Sequence, residues 1–184
     1  MGAFEDGLDR ADSGRFTRPL PKSAPARVRF LVRSLRGTRA AAAELGVSQR
    51  TVERYVRGQL RQPRPELAAR LERAVRARWQ PKVRARARRR AADTGGIVIE
   101  TRARFGFTAA PGSTDDARVR LITQHLPPEY AARLFDARTA GASEQRLQEI
   151  AAEGLGEIYF RDRGRRADGL QVEFTDIDYV ELDY

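Results

Sequence analysis

Residues 108 to 118 read TAAPGSTDDAR and gather hydroxyls next to carboxylates: Thr108, Ser113 and Thr114 surround a Pro111-Gly112 hinge, and Asp115 and Asp116 follow at once. A side-chain hydroxyl attacks a phosphate once it is deprotonated or metal-bound. Neighbouring carboxylates can take the proton or help to position Mg²⁺. Pro-Gly makes an exposed, bendable loop, which is where a reactive hydroxyl would have to sit. The same string also reads as a helix start, with Ser113 or Thr114 as N-cap and the two aspartates in a first turn favoured by the helix dipole.

Other reactive side chains are sparse. The chain has no cysteine and a single histidine, His125, so thiolate or His-rich zinc sites are not expected. His125 beside Leu126 could in principle activate Ser113, but with no second histidine for a relay it reads as a structural residue. Asp176 and Asp178 form a D-x-D that could bridge a metal on one strand face, or simply solvate an edge strand. The phosphate loop G-x-x-x-x-G-K-[ST], the G-x-S-x-G elbow and H-E-x-x-H are all missing. The expectation is a protein that is not itself an enzyme and holds no metal tightly.

Charge is unevenly placed. Residues 1 to 95 hold 24 Arg or Lys against 9 Asp or Glu, whereas residues 96 to 184 hold 11 against 16. A basic half joined to an acidic half suggests a grip on nucleic acid coupled to a second task. No run of about 18 apolar residues and no secretory pattern is present, so the reading is a soluble cytoplasmic protein without a membrane partner.

The elements that must position these groups follow from periodicity and punctuation. Residues 1–22, with Pro19 and Pro21, read as a mobile arm. Ser23 can cap a helix whose stripe is Val28, Leu31, Val32 and Leu35, closed by Gly37. In TRAAAAELGVSQRTVERYVRG, residues 38 to 58, Ala41, Ala42, Leu45, Val47, Val52 and Tyr55 fall where two crossed helices bury side chains. Gly46 stands where the turn needs positive φ, and Ser48 can cap the second helix. Gln49, Arg50, Glu53, Arg54 and Arg57 then face outward, as a recognition helix requires for base edges and phosphates. The competing reading is an ordinary helical hairpin with a solvated face. A third helix over Pro65–Trp79 puts Leu67, Leu71, Val75 and Trp79 on one side, and Pro81 kinks or restarts it. Lys82, Arg84, Arg86, Arg88, Arg89 and Arg90 come next, suited to phosphates or to a solvated linker. Neutralising about six phosphates would cost about 10³-fold in affinity between low and moderate salt.

DTGG, residues 93–96, marks the expected domain boundary. In GIVIETRARFGF the residues Ile97, Ile99, Thr101, Ala103, Phe105 and Phe107 share one face, which predicts a half-buried strand serving a core or self-association. VRLITQHL reads as a second strand, PPEYAARLFDARTAG and SEQRLQEIAAEGLGEIYF as helices, and LQVEFTDIDYVELDY as a further strand. The fold class is therefore a mainly α N-terminal helix-turn-helix domain followed by a smaller α+β C-terminal domain. The expected boundaries are an arm at 1–22, the helix-turn-helix domain at 23–80, a basic helix or linker at 81–95 and the α+β domain at 96–184.

The strings FTRPLPKSAPARVRFLVRSLRGT, LGVSQRTVERYV, RPELAARLERAVRARWQPKVRARAR and TGGIVIETRARFGFTAAPGSTDDAR together resemble the Tpg-type telomere terminal proteins of linear actinomycete chromosomes and plasmids. The resemblance continues through LPPEYAARLFDA and QEIAAEGL; the extreme N-terminus and residues 161–169 match only loosely. It implies a protein primer bonded covalently to the 5′ ends of linear telomeric DNA, whose hydroxyl replaces a primer 3′-OH during end patching. By match of PGSTDDA the priming residue falls on Thr114. The implied partners are a telomere-binding recruiting protein and a DNA polymerase that uses Mg²⁺ and a dNTP, with dCTP the first nucleotide, at DNA ends in the nucleoid. Asp115 and Asp116 would support the hydroxyl. Without the resemblance, the helix-turn-helix alone points to a transcriptional regulator that binds duplex DNA reversibly. A third possibility is a nucleotidyl transferase that labels itself with no polymerase present.

Overall fold

A computed structural model describes residues 2–108, 118–160 and 171–184. They form two units. Residues 16–81 make one; residues up to Arg15 together with Lys82 onward make the other. Among the described residues there are eight α-helices and one three-stranded antiparallel sheet.

The helical unit holds α2 (Ala24–Ser34), α3 (Thr38–Leu45), α4 (Gln49–Val56) and α5 (Pro65–Arg78). Ser23 caps α2 by accepting the Ala26 N–H at 3.4 Å, with Pro25 in the first turn, where its missing N–H costs nothing. The end of α2 differs from expectation. The left-handed residue there is Arg36 at φ 59°, while Gly37 is extended at φ 164° and donates its N–H to the Val32 carbonyl at 2.9 Å. Val28, Leu31, Ala41, Ala42, Leu45, Val52, Tyr55, Leu71, Ala74 and Val75 form the core, with Val32, Val47 and Leu67 partly buried against it.

The second unit is built on a sheet of order β2-β1-β3, with β1 at Ile97–Thr108, β2 at Arg118–Leu126 and β3 at Gln171–Asp183. On β1, Ile97, Ile99, Thr101, Ala103 and Phe105 are buried, while Glu100, Arg102 and Arg104 are exposed, so the alternation in the sequence is realised. Thr101 is the polar member of that face; its hydroxyl donates to the Tyr179 carbonyl at 2.8 Å. α7 (Pro128–Thr139), α8 (Glu144–Leu155) and α1 (Ala3–Gly14) contribute Leu134, Leu147, Ile150, Phe4 and Leu8 to the same core. Both edges of β1 are paired and its apolar face is buried within the unit, so that face serves the core.

Two expectations are overturned by the packing and a third is narrowed. Residues 3–14 are not a mobile arm but helix α1, packed on β3 so closely that a Cβ on Gly7 would lie 3.3 Å from Leu182 Cδ1. The first-turn N–H groups of Phe4 and Glu5 donate to the Glu144 carboxylate at 2.7 and 3.1 Å, a cap supplied from 140 residues away. The boundary falls at Pro81/Lys82 rather than at residues 93–96, and the sheet-bearing unit is the larger of the two. Of the helix and the linker expected at residues 81–95 the helix is found: α6 (Pro81–Arg90) runs into a π-helical turn at Ala91–Gly95, and Gly96 at φ 68° turns the chain into β1.

Candidate nucleic-acid interface

The excess of positive charge lies in the helical unit. The helical unit carries 16 Arg or Lys against 4 Asp or Glu. Its α3–α4 corner has the geometry the sequence calls for. Gly46 is left-handed at φ 62° and ψ 40°, and the Val47 N–H reaches back to the Ala42 carbonyl at 3.0 Å. Ser48 accepts the Thr51 N–H at 3.2 Å and so caps α4. Val52 and Tyr55 are buried, which turns the opposite face of α4 outward.

On that face Arg50, Arg54 and Arg57 are exposed and form no ion pair among the described residues. Gln49 is held differently: its amide donates to Thr38 Oγ1 at 3.0 Å and to Glu53 Oε1 at 3.1 Å, which ties the start of α4 to α3. The unit's ion pairs lie elsewhere, where Glu72 receives Arg27 and Arg76, and Glu44 receives Arg78. Glu72 is thereby held below the usual carboxylate range, first by the Arg76 hydrogen bond. Three unpaired guanidiniums on one helix face suit phosphate oxygens and guanine edges.

The basic run on α6 splits into two faces. Lys82, Arg86, Arg89 and Arg90 are exposed. Arg84 and Arg88 instead turn onto the buried Asp12 of α1, which also receives Arg138 and the Tyr184 hydroxyl, so these two arginines leave the predicted phosphate set. Burial alone would raise the Asp12 pKa. The hydrogen bonds from Arg88 and Tyr184 and the charges of Arg88 and Arg138 outweigh it and hold the carboxyl below its ordinary value. Burial, together with the adjoining Asp12 carboxylate, pushes the Tyr184 hydroxyl above the tyrosine range and keeps it a donor. Residues 82–90 belong to the sheet-bearing unit and α4 to the helical unit, so the predicted DNA-binding residues are divided between two bodies.

Ser113, Thr114, Asp115 and Asp116 lie outside the described residues. The strands that flank them are described: β1 and β2 are antiparallel neighbours, with Phe105 opposite Arg118. His125 Nε2 lies 2.7 Å from the Gly95 carbonyl oxygen, a structural engagement. Asp178 pairs with Arg102 at 3.2 Å, and Asp176 stands opposite Arg104 in the sheet register. Each member of the D-x-D therefore faces an arginine. The Asp12 cluster escaped the sequence reading because its members are up to 172 residues apart; an aspartate on the apolar side of the Phe4, Leu8, Ala11 stripe was its one signal.

No protein-family model, curated protein or solved structure matches the chain. Among the described residues no helix is long and apolar enough to cross a membrane.

Proposed function

We propose that this protein is a DNA-end-binding terminal protein that primes synthesis from the hydroxyl of Thr114 and stays bonded to the 5′ end. In this reading α3 and α4 are a DNA-binding helix-turn-helix. The observation that carries it is the unpaired row of Arg50, Arg54 and Arg57 on a helical unit with 16 basic and 4 acidic residues. Lys82, Arg86, Arg89 and Arg90 add phosphate contacts from the second unit. The assignment of Thr114 rests on the resemblance of PGSTDDA to the Tpg-type terminal proteins.

The chemistry is a nucleotidyl transfer. Thr114 Oγ attacks the α-phosphorus of a deoxynucleoside triphosphate, the P–O bond to the β-phosphate breaks, pyrophosphate leaves and the hydroxyl proton passes to a base. A partner DNA polymerase brings the Mg²⁺ ions and the dNTP, dCTP by the same resemblance, and a telomere-binding protein recruits the complex. Asp115 and Asp116 assist as proton acceptors or by steadying a metal.

The deciding experiment is mass spectrometry of the protein from its host after exhaustive nuclease digestion, reading the tryptic peptide that spans residues 105–118. A deoxynucleotide on Thr114, absent from Thr114→Ala, is the expected result. An adduct on Ser113 or Thr108 moves the residue and keeps the function. Unmodified peptide in cells whose DNA ends are protein-blocked would overturn the priming role in favour of a transcriptional regulator, the reading that the α3–α4 corner favours on its own. Metal-dependent self-labelling of the purified protein would instead make it a transferase.

A further inference from the structure

The helical unit contains a cleft of about 400 Å³ between α2, the end of α4 and the end of α5, walled by Pro21, Phe30, Val56 and Trp79 and rimmed by Arg29 and Arg33. Sites for small flat ligands run from about 300 to 1,000 Å³. No Asp or Glu is among its lining residues. Phe30 and Trp79 meet edge to face, their centroids 4.9 Å apart and their planes at 64°. The Trp79 indole N–H donates to the Arg18 carbonyl at 3.0 Å, so the ring is oriented before anything enters. Arg29 Nη1 donates to the Val56 carbonyl at 3.3 Å, which steadies one side of the rim. Arg33 is exposed and makes no ion pair among the described residues.

An occupant has to satisfy apolar, aromatic walls and a purely cationic rim at once. An unpaired nucleotide does both, because its base offers a π face and its phosphates offer charge. A duplex does not, since its bases already stack on one another. A peptide docked in a groove is read through several anchors along its length, whereas this compact cleft takes one group. We infer that the cleft receives an unpaired base of single-stranded DNA against Trp79 and Phe30, with Arg29 and Arg33 on the flanking phosphates. This rests on the DNA-binding half of the proposed function and not on Thr114.

Trp79 is the only tryptophan in the chain, so its emission reports on the cleft alone. The full-length protein is titrated with a short oligothymidylate, an abasic oligomer of equal length, a duplex of the same sequence and a glutamate-rich peptide. The expected result is saturable quenching by the oligothymidylate, with about tenfold weaker binding of the abasic strand, as loss of one stacked base predicts. The duplex and the peptide leave the emission unchanged. Arg33→Glu, on an exposed side chain that does not affect thermal unfolding, raises the oligothymidylate Kd about tenfold. Equal quenching by the abasic strand or the peptide overturns the inference. Oligothymidylate or duplex binding, followed by anisotropy, with no change in emission removes the cleft but keeps DNA binding by α4. No binding of any DNA removes both.

Discussion

Replacing Asp12 by Asn tests whether α1 is a structural part of the sheet-bearing unit. The Asp12 side chain is 3% exposed and is shared by Arg84, Arg88 and Arg138, which are 17%, 24% and 19% exposed. Removing the anion takes the shared carboxylate from three guanidiniums, of which Arg138 keeps its ion pair with Asp9. Loss of one partner of a buried pair costs about 3–5 kcal/mol. Because the arginines keep about a fifth of their surface in water, the lower end applies, about 3 kcal/mol. For a unit of this size that lowers Tm by about 10 °C.

The pH dependence has a definite sign. The folded pKa of Asp12 is depressed, so its contribution is fully present above the unfolded value of about 4 and is lost as pH falls through the lower folded value. Thermal unfolding of wild type and Asp12→Asn, followed by circular dichroism from pH 7 downward, should give two curves that converge below about pH 4. A double-mutant cycle with Arg88→Met isolates the pairwise coupling. A loss under about 1 kcal/mol at pH 7, or a gap that widens in acid, would falsify the account.

Other consequences are more local. Gly96→Ala should destabilise the protein severely, because φ is +68° and the new Cβ would stand 2.3 Å from the Leu126 carbonyl oxygen; Gly46→Ala should cost only about 1–2 kcal/mol, since its close neighbour is the movable Arg70 guanidinium. Chemical denaturation of both variants checks the order. Thr101→Val removes the donor to the Tyr179 carbonyl and should cost about 1 kcal/mol in the same assay. Arg50→Ala with Arg54→Ala should weaken duplex binding about 10-fold or more and lower the slope of log K against log salt by about 2, whereas Arg88→Ala should lower stability and leave that slope nearly unchanged. Anisotropy across a salt series separates these outcomes.

Much of the fold is legible in the sequence where the information is local. Gly46 as the left-handed corner, the Ser23 and Ser48 caps, the start of α6 at Pro81 and the alternating burial of β1 each depend on residues within one or two turns. Outward display of Arg50, Arg54 and Arg57 follows from the same period, because burying Val52 and Tyr55 fixes the rotation of α4. The end of α2 is an exception at short range: glycine at residue 37 signals a stop, yet Arg36 takes the left-handed position.

Contacts between distant parts of the chain decided the rest. The first 15 residues contain no proline and three glycines, yet residues 3–14 form a helix because Glu144 supplies the first-turn acceptor and the sheet supplies an apolar bed for Phe4, Leu8 and Ala11. Arg84 and Arg88 look no different in sequence from Arg86 and Arg89; only the packing of α1 on the same unit turns them onto Asp12 and away from solvent. The cleft at Phe30 and Trp79 also depends on three helices meeting, where the sequence assigns Trp79 simply to a core stripe. Local chemistry fixed which residues make helices, caps and strands, because those free energies act within a few residues; partner choice for a charge or an aromatic ring is a long-range matter that only the folded chain decides.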